Sequence, residues 1–184
     1  MRCLESMKSK IIVITLVFLV IVVATLYGVR MSISVIEIIS GYVTLFFLLA
    51  IAIIDMKTYT IPNKILLVWL SIRSILVFLG FVVYGVEDVL VSSVIGALVV
   101  GLFFLITHYL SKRSLGGGDV KLSFVLGFSL TVNMVFAAVF YALLACGIFS
   151  LIGLATKKLT RKDAVPLGPF FFVGTVVAYL LSIF

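Results

Sequence analysis

Charged residues make up only 11% of this chain, and cysteine occurs twice, proline three times and histidine once. Each scarcity excludes something. Cys3 and Cys146 are too few and too far apart for a disulfide framework or a zinc ribbon. Cys146, inside an apolar run, reads as a small packing residue. No metal site and no cofactor are expected. No polar stretch is long enough to build a second, water-facing domain. The net charge of +7 raises the possibility of nucleic acid, but the basic residues are scattered between apolar runs, and no nucleic-acid partner is expected.

What the chain does have is apolar surface. Hydrophobic residues make up 64% of its 184 positions, and mean hydropathy is +1.42. Soluble domains average roughly 45–50% apolar residues. The composition therefore predicts an all-α, polytopic transmembrane bundle of about seven helices. A helix needs about 20 apolar residues to cross the hydrocarbon core, about 17 at the low end. On that measure spans fall at 11–29, 34–55, 64–84, 89–110, 120–131, 134–156 and 167–184. Residues 11–27 have the basic flank and apolar run of a signal peptide. They lack an A-x-A-like cleavage site, and the run is about as long as a minimal span, so it reads as an anchor. The segment 120–131 is short for a crossing and is expected to be tilted, sunk inside the bundle, or bounded later than the S-L-T-V-N turn signal suggests.

Charge sets the expected orientation. With the N-terminus in the cytoplasm, the segments on that side carry Arg2, Lys8, Lys10, Lys57, Lys64, Lys112, Arg113, Lys121, Lys157, Lys158, Arg161 and Lys162. These are twelve of the fourteen basic residues. Such a bias is the mark of a cytoplasmic face. It requires an even number of crossings between Lys121 and Lys157, which favours two short helices over one long one. Asp55 at the end of the second span, Asp119 at the start of the fifth, and Pro166-Leu167-Gly168-Pro169 at the start of the seventh then share one membrane plane.

An acid at the edge of the hydrocarbon is costly and marks a functional site by default, with a partner to be named. Asp55 and Asp119 can partner each other. Two carboxylates within hydrogen-bond reach do not both ionise easily, so one keeps a proton near neutral pH. The ionised one can then activate a water while the protonated one polarises a carbonyl. Gly116, Gly117 and Gly118 would permit backbone conformations closed to other residues and let an extended chain lie beside Asp119. Plainer readings stay open: an N-cap, or interfacial pairs of Asp55 with Lys57 and Asp119 with Lys121. A small ion-coupled carrier also breaks helices with glycine and binds cations with buried acids, although no internal repeat is evident. His108 reads as interfacial, Asp163 as solvated among lysines, Glu37 as remote from the acids, and Phe170, Phe171 and Phe172 as packing residues. Arg73, inside a span, is expected to snorkel or to pair with an acid.

Three stretches together resemble the prepilin peptidases, the GxGD-type aspartic membrane peptidases that process type IV prepilins and preflagellins. Asp55 with the downstream Ile61-Pro62-Asn63 is similar to the family's first catalytic aspartate and its I-P-N. Gly116-Gly117-Gly118-Asp119-Val120-Lys121 matches G-x-G-D-x-K around the second. Pro166-Leu167-Gly168-Pro169-Phe170 is similar to the P-x-G-P-F that opens the last helix of bacterial members. The resemblance implies that Asp55 and Asp119 are the catalytic pair. It implies substrate or loop roles for Gly116, Gly118, Lys121, Pro166, Gly168 and Pro169. The implied partners are prepilin-like or preflagellin-like precursors, cut at the cytoplasmic face of the plasma membrane before an apolar helix, usually after a glycine. Lys121 serves equally well as an inside anchor. Presenilin-type proteases share G-x-G-D but place P-A-L where this chain has Pro166-Leu167-Gly168. Residues 34–184 are expected to form the six-helix peptidase domain, and residues 1–33 a tail with one extra span. Residues 1–33 lack the paired C-x-x-C motifs of bifunctional relatives, so peptidase activity without N-methyltransferase activity is expected.

Overall fold

In the computed structural model the described residues are 22, 35–84, 87–111, 115–160 and 163–183. They form six helices and no strand: α1 (Val35–Thr58), α2 (Asn63–Tyr84), α3 (Glu87–Leu110), α4 (Gly117–Ser129), α5 (Val132–Ala155) and α6 (Gly168–Ile183). The expected span 11–29 and the proposed 1–33 unit lie outside the described residues apart from Val22, which is helical. So do Lys112, Arg113, Arg161 and Lys162.

Four helices, α1, α2, α3 and α5, are long and apolar enough to cross a membrane. Their outer faces carry large apolar side chains such as Phe78, Phe140 and Leu151, all exposed. Water would penalise this surface and lipid would not, so the chain is a multi-pass membrane protein. Serines inside the spans hide their hydroxyls within their own helix. Ser71 and Ser74 each donate to the carbonyl four residues back, Leu67 and Leu70, at 2.8 Å.

The short helix α4 occupies the middle. Val120, Leu122, Ser123, Val125, Leu126, Gly127 and Ser129 are buried. Leu122 and Leu126 pack in one core with Leu45, Leu48 and Ile51 of α1, Trp69 of α2, Val135 and Ala138 of α5 and Phe171 of α6. α3 and α4 make one of the two most extensive helix pairs, and α5 and α6 the other. Their approach depends on missing side chains. A Cβ on Gly96 or on Gly127 would strike the other's carbonyl, and one on Gly174 would strike the Ala138 carbonyl. Small residues at such crossings let membrane helices pack backbone to backbone.

The boundaries differ from expectation in three ways. α1 runs three residues past Asp55, so this acid lies in the last turn rather than at the end of the helix. Between Lys121 and Lys157 there are two helices, as the charge pattern requires, but only α4 is short; α5 has 24 residues. Burial of seven of its 13 residues lets α4 remain inside the bundle without lipid-length reach. Finally, the glycine run is not a loop. Gly117 and Gly118 form the first turn of α4, and Gly116 is its N-cap with φ −62° and ψ 137°, ordinary extended backbone.

Candidate active site

Asp55 reaches the site from the last turn of α1, and only 3% of it is exposed. The helix ends just beyond it, where the Tyr59 N–H donates to the Asp55 carbonyl at 2.8 Å. Tyr59 itself is left-handed, with φ 52°. For a non-glycine residue that conformation costs about 1–2 kcal/mol, and it swings the chain out toward Thr60 and Ile61. Pro62 follows immediately before α2, where a missing N–H removes no helix bond. Its carbonyl accepts the Ile65 N–H at 3.1 Å.

The Asp55 carboxylate is tied to the other end of the chain. The Gly168 N–H, first in α6, donates to Asp55 Oδ2 at 2.8 Å. The opening N–H groups of a helix have no partner within it and carry partial positive charge, so an acid there is stabilised. A Cβ on Gly168 would fall 2.9 Å from the same oxygen and 3.1 Å from Asp55 Cβ. Glycine is required here for room.

Asp119 stands in the first turn of α4, ahead of that helix's apolar run. Its carboxyl reaches back to the Gly116 N–H, one half of a capping box. Burial, and then the charge of Asp55, push the Asp119 carboxyl up to about 6, against the lowering effect of that N–H. The glycines around it act through space rather than through backbone freedom. A Cβ at Gly116 would stand 2.8 Å from Asp119 Oδ2, and one at Gly118 would stand 3.1 Å from Ile61 Cβ. One at Gly117 meets nothing within 4 Å. The expectation that all three supply unusual conformations is therefore corrected: two of the three are sites of close approach.

Both acids line one cavity of about 710 Å³. Gly116, Gly118, Lys121 and Pro166 line it too, whereas Pro169 lies in the first turn of α6 and is not among the lining residues. The Gly168 contribution is its N–H. Tyr59, Thr60, Asn63 and Asp163 also face this cavity. Asp163 is exposed, as its basic neighbours suggest, and its carboxylate accepts the Thr160 N–H at 2.7 Å at the rim of the cavity. Lys121 Nζ donates to Asn63 Oδ1 at 3.1 Å, joining the G-x-G-D-x-K stretch to the I-P-N stretch. His108 is more than interfacial. Its Nδ1–H donates to the Leu115 carbonyl at 2.6 Å and so anchors the segment that enters α4. Phe171 and Phe172 are buried, and Phe171 packs on Phe104 and Phe170 on Phe149, as expected of packing residues.

Among the described residues no group of three or more His, Cys, Asp or Glu side chains is arranged to hold a metal ion. The arrangement is two carboxyl groups of unequal surroundings facing one open volume, each braced by a helix N-terminus. Such a pair can share a proton and present both a base and an acid to one molecule.

Comparison with known proteins follows the same residues. The model of the type IV leader peptidase family matches residues 42–151, which contain both acids. A curated protein of Bacillus subtilis (strain 168), prepilin leader peptidase/N-methyltransferase, is 29% identical over 153 residues. The alignment covers 83% of this chain and 59% of that relative, so the chain spans well under two thirds of the relative's length. No solved structure matches.

Proposed function

This chain belongs to the type IV leader peptidase family, and from that premise we propose that it is an aspartic endopeptidase removing the leader from prepilin-like or preflagellin-like proteins. The observation that carries the reading is the placement of Asp55 and Asp119 on one cavity, with burial and then the Asp55 charge raising the Asp119 carboxyl.

In this mechanism Asp119 holds the proton and Asp55 is the base. A water between them attacks the carbonyl carbon of the scissile peptide. Its proton passes to Asp55 as the Asp119 proton moves to the carbonyl oxygen, giving a neutral tetrahedral diol. Collapse breaks the C–N bond. The proton on Asp55 goes to the departing amine, and one diol proton returns to Asp119. The balance is one water consumed, one carboxyl and one amine formed, and both aspartates restored. Gly116 and Gly118 keep the wall beside Asp119 low enough for an extended peptide to reach it.

The scattered lysines and arginines support a cytoplasmic N-terminus and a cavity on the cytoplasmic side. For the 184-residue chain itself we also propose leader removal without methylation, since its two cysteines form no C-x-x-C pair. Co-expression with a prepilin-like substrate, read as a shift on a gel, tests the peptidase. Mass spectrometry of the new N-terminus tests the second point, and a methyl increment produced by this chain alone would overturn it. Substantial cleavage by Asp55→Asn or Asp119→Asn would remove that residue from the pair.

A further inference from the structure

Beside the aspartate cavity lies a second hollow of different character. It is a groove of about 500 Å³ between α2 and α4. Leu66, Leu67 and Leu70 form one wall, Phe124 and Val125 the other. Leu66 and Leu70, four residues apart, share one face of α2, and Leu67 lies at its exposed edge. The Phe124 ring lies so close to Gly101 of α3 that a Cβ there would collide with it, which fixes the groove floor.

The two hollows meet at one hydrogen-bonded pair. Asn63 and Lys121 line both, and the 3.1 Å bond between them marks the boundary. On one side are Asp55, Asp119, Asp163 and Thr60. On the other every remaining lining residue is apolar. Along α4 the sequence runs from Asp119 through Lys121 to Phe124 and Val125. At about 1.5 Å per residue the groove therefore extends roughly 9 Å beyond the acid.

A chain whose peptide bond sits between the aspartates thus has polar surroundings on one side of that bond and an apolar channel on the other. We propose that the α2–α4 groove binds the apolar segment of the substrate that adjoins the cleaved bond, and that Leu66, Leu67, Leu70 and Phe124 select for it. The inference rests on the peptidase reading above and extends it from the reacting bond to what recognises the chain around it. A volume of this size lies within the roughly 300–1,000 Å³ of sites that enclose a ligand, and it accommodates several apolar side chains of one helix face.

Leu67 is suited to test it, because it is 62% exposed and outside the packed core. Leu67→Trp fills the groove without displacing a buried neighbour. Cleavage is measured on two substrates in vesicles: a full-length prepilin-like chain, and a version in which the segment after the scissile bond is replaced by a polar one. The expected result is a fall of about tenfold in kcat/KM for the full-length chain, about 1.4 kcal/mol, with the residual rate on the polar version unchanged. Equal losses on both, or no loss on either, would overturn the proposal.

A second measurement does not depend on cleavage. A benzophenone amino acid at position 67 of the Asp55→Asn, Asp119→Asn protein is illuminated with the full-length substrate in phosphatidylethanolamine and phosphatidylglycerol vesicles. Cross-links to the substrate's apolar segment support the groove even if the peptidase assay fails. Cross-links to lipid alone, in a protein whose parent cleaves normally, overturn the groove and leave the peptidase reading standing.

Discussion

Two polar clusters interrupt this apolar bundle, and they are treated in opposite ways. Near the last turn of α1, Asp55 and Asp119 face a cavity of about 710 Å³. Toward the far end of the same helix, buried Arg73 of α2 donates from Nη1 to Ser40 Oγ of α1. Glu37 and Tyr179 interact with it electrostatically. The space beside it, about 40 Å³, is bounded also by Ser129 and Thr131 near the end of α4. That volume holds little more than a water. Charge beside open volume can act on another molecule, whereas charge beside almost none can only hold its own neighbours. The first arrangement suits chemistry. The second joins α1, α2 and α6 where α4 stops short.

The largest test of this contrast is loss of either acid. Asp55→Asn and Asp119→Asn should each lower cleavage by about a thousandfold or more, a loss of at least about 4 kcal/mol in transition-state stabilisation. Asn can still accept the Gly168 or Gly116 N–H, so insertion and thermal stability in detergent should stay near those of the parent.

The next test is pH. Asp119 is pushed up to about 6, so its carboxyl keeps a proton through the range where an exposed aspartate has lost it. If it is the acid, the rate falls as pH rises through about 6, approaching about tenfold per pH unit beyond it. A rate profile flat from 5 to 8, an interval of about three units around that midpoint, would transfer the acid role elsewhere.

Adjacent glycines give a smaller and sharper comparison. Gly118→Ala must push Ile61 aside, because the new Cβ would stand 3.1 Å from the Ile61 Cβ. We expect cleavage to drop about tenfold through displacement of Asp119, as misplacement of reacting groups is costly. Gly117→Ala enters open space and should leave the rate unchanged. Equal effects from both would mean that the run matters for helix propensity alone.

Smallest on activity, though not on stability, is Arg73→Met. It removes the buried guanidinium that Ser40 and Glu37 face and should cost about 3 kcal/mol, read as a lower melting temperature. The rate per folded molecule should be preserved. A rate loss exceeding the loss of folded protein would make the Arg73 cluster part of the functional site.

The sequence shows the acids more readily than it shows their surroundings. Asp55 and Asp119 are conspicuous because one closes and the other opens a long apolar run, and the helical class follows from those same runs. The glycines are harder to read, because their spacing does not reveal whether they serve backbone angle or clearance. Here it is clearance: Ile61, in the α1–α2 connection, lies 57 positions before Gly118 at the start of α4, a contact that only folding creates. The same applies to Lys121, whose partner is Asn63 rather than an adjacent acid. Arg73 was expected to snorkel or pair with an acid, and burial at 5% exposure shows that it does not snorkel.

The bond from Gly168 to Asp55 also orders events during synthesis. The first helix described is made early, but its acid acquires this donor only after residue 168 has left the ribosome and α6 has begun to insert. Until then Asp55 lacks a fixed direction and the cavity lacks the wall formed by Pro166 and Leu167. A partly translated chain therefore holds two acids but only part of the cavity they share, and the pair is complete only once α6 has packed against α1.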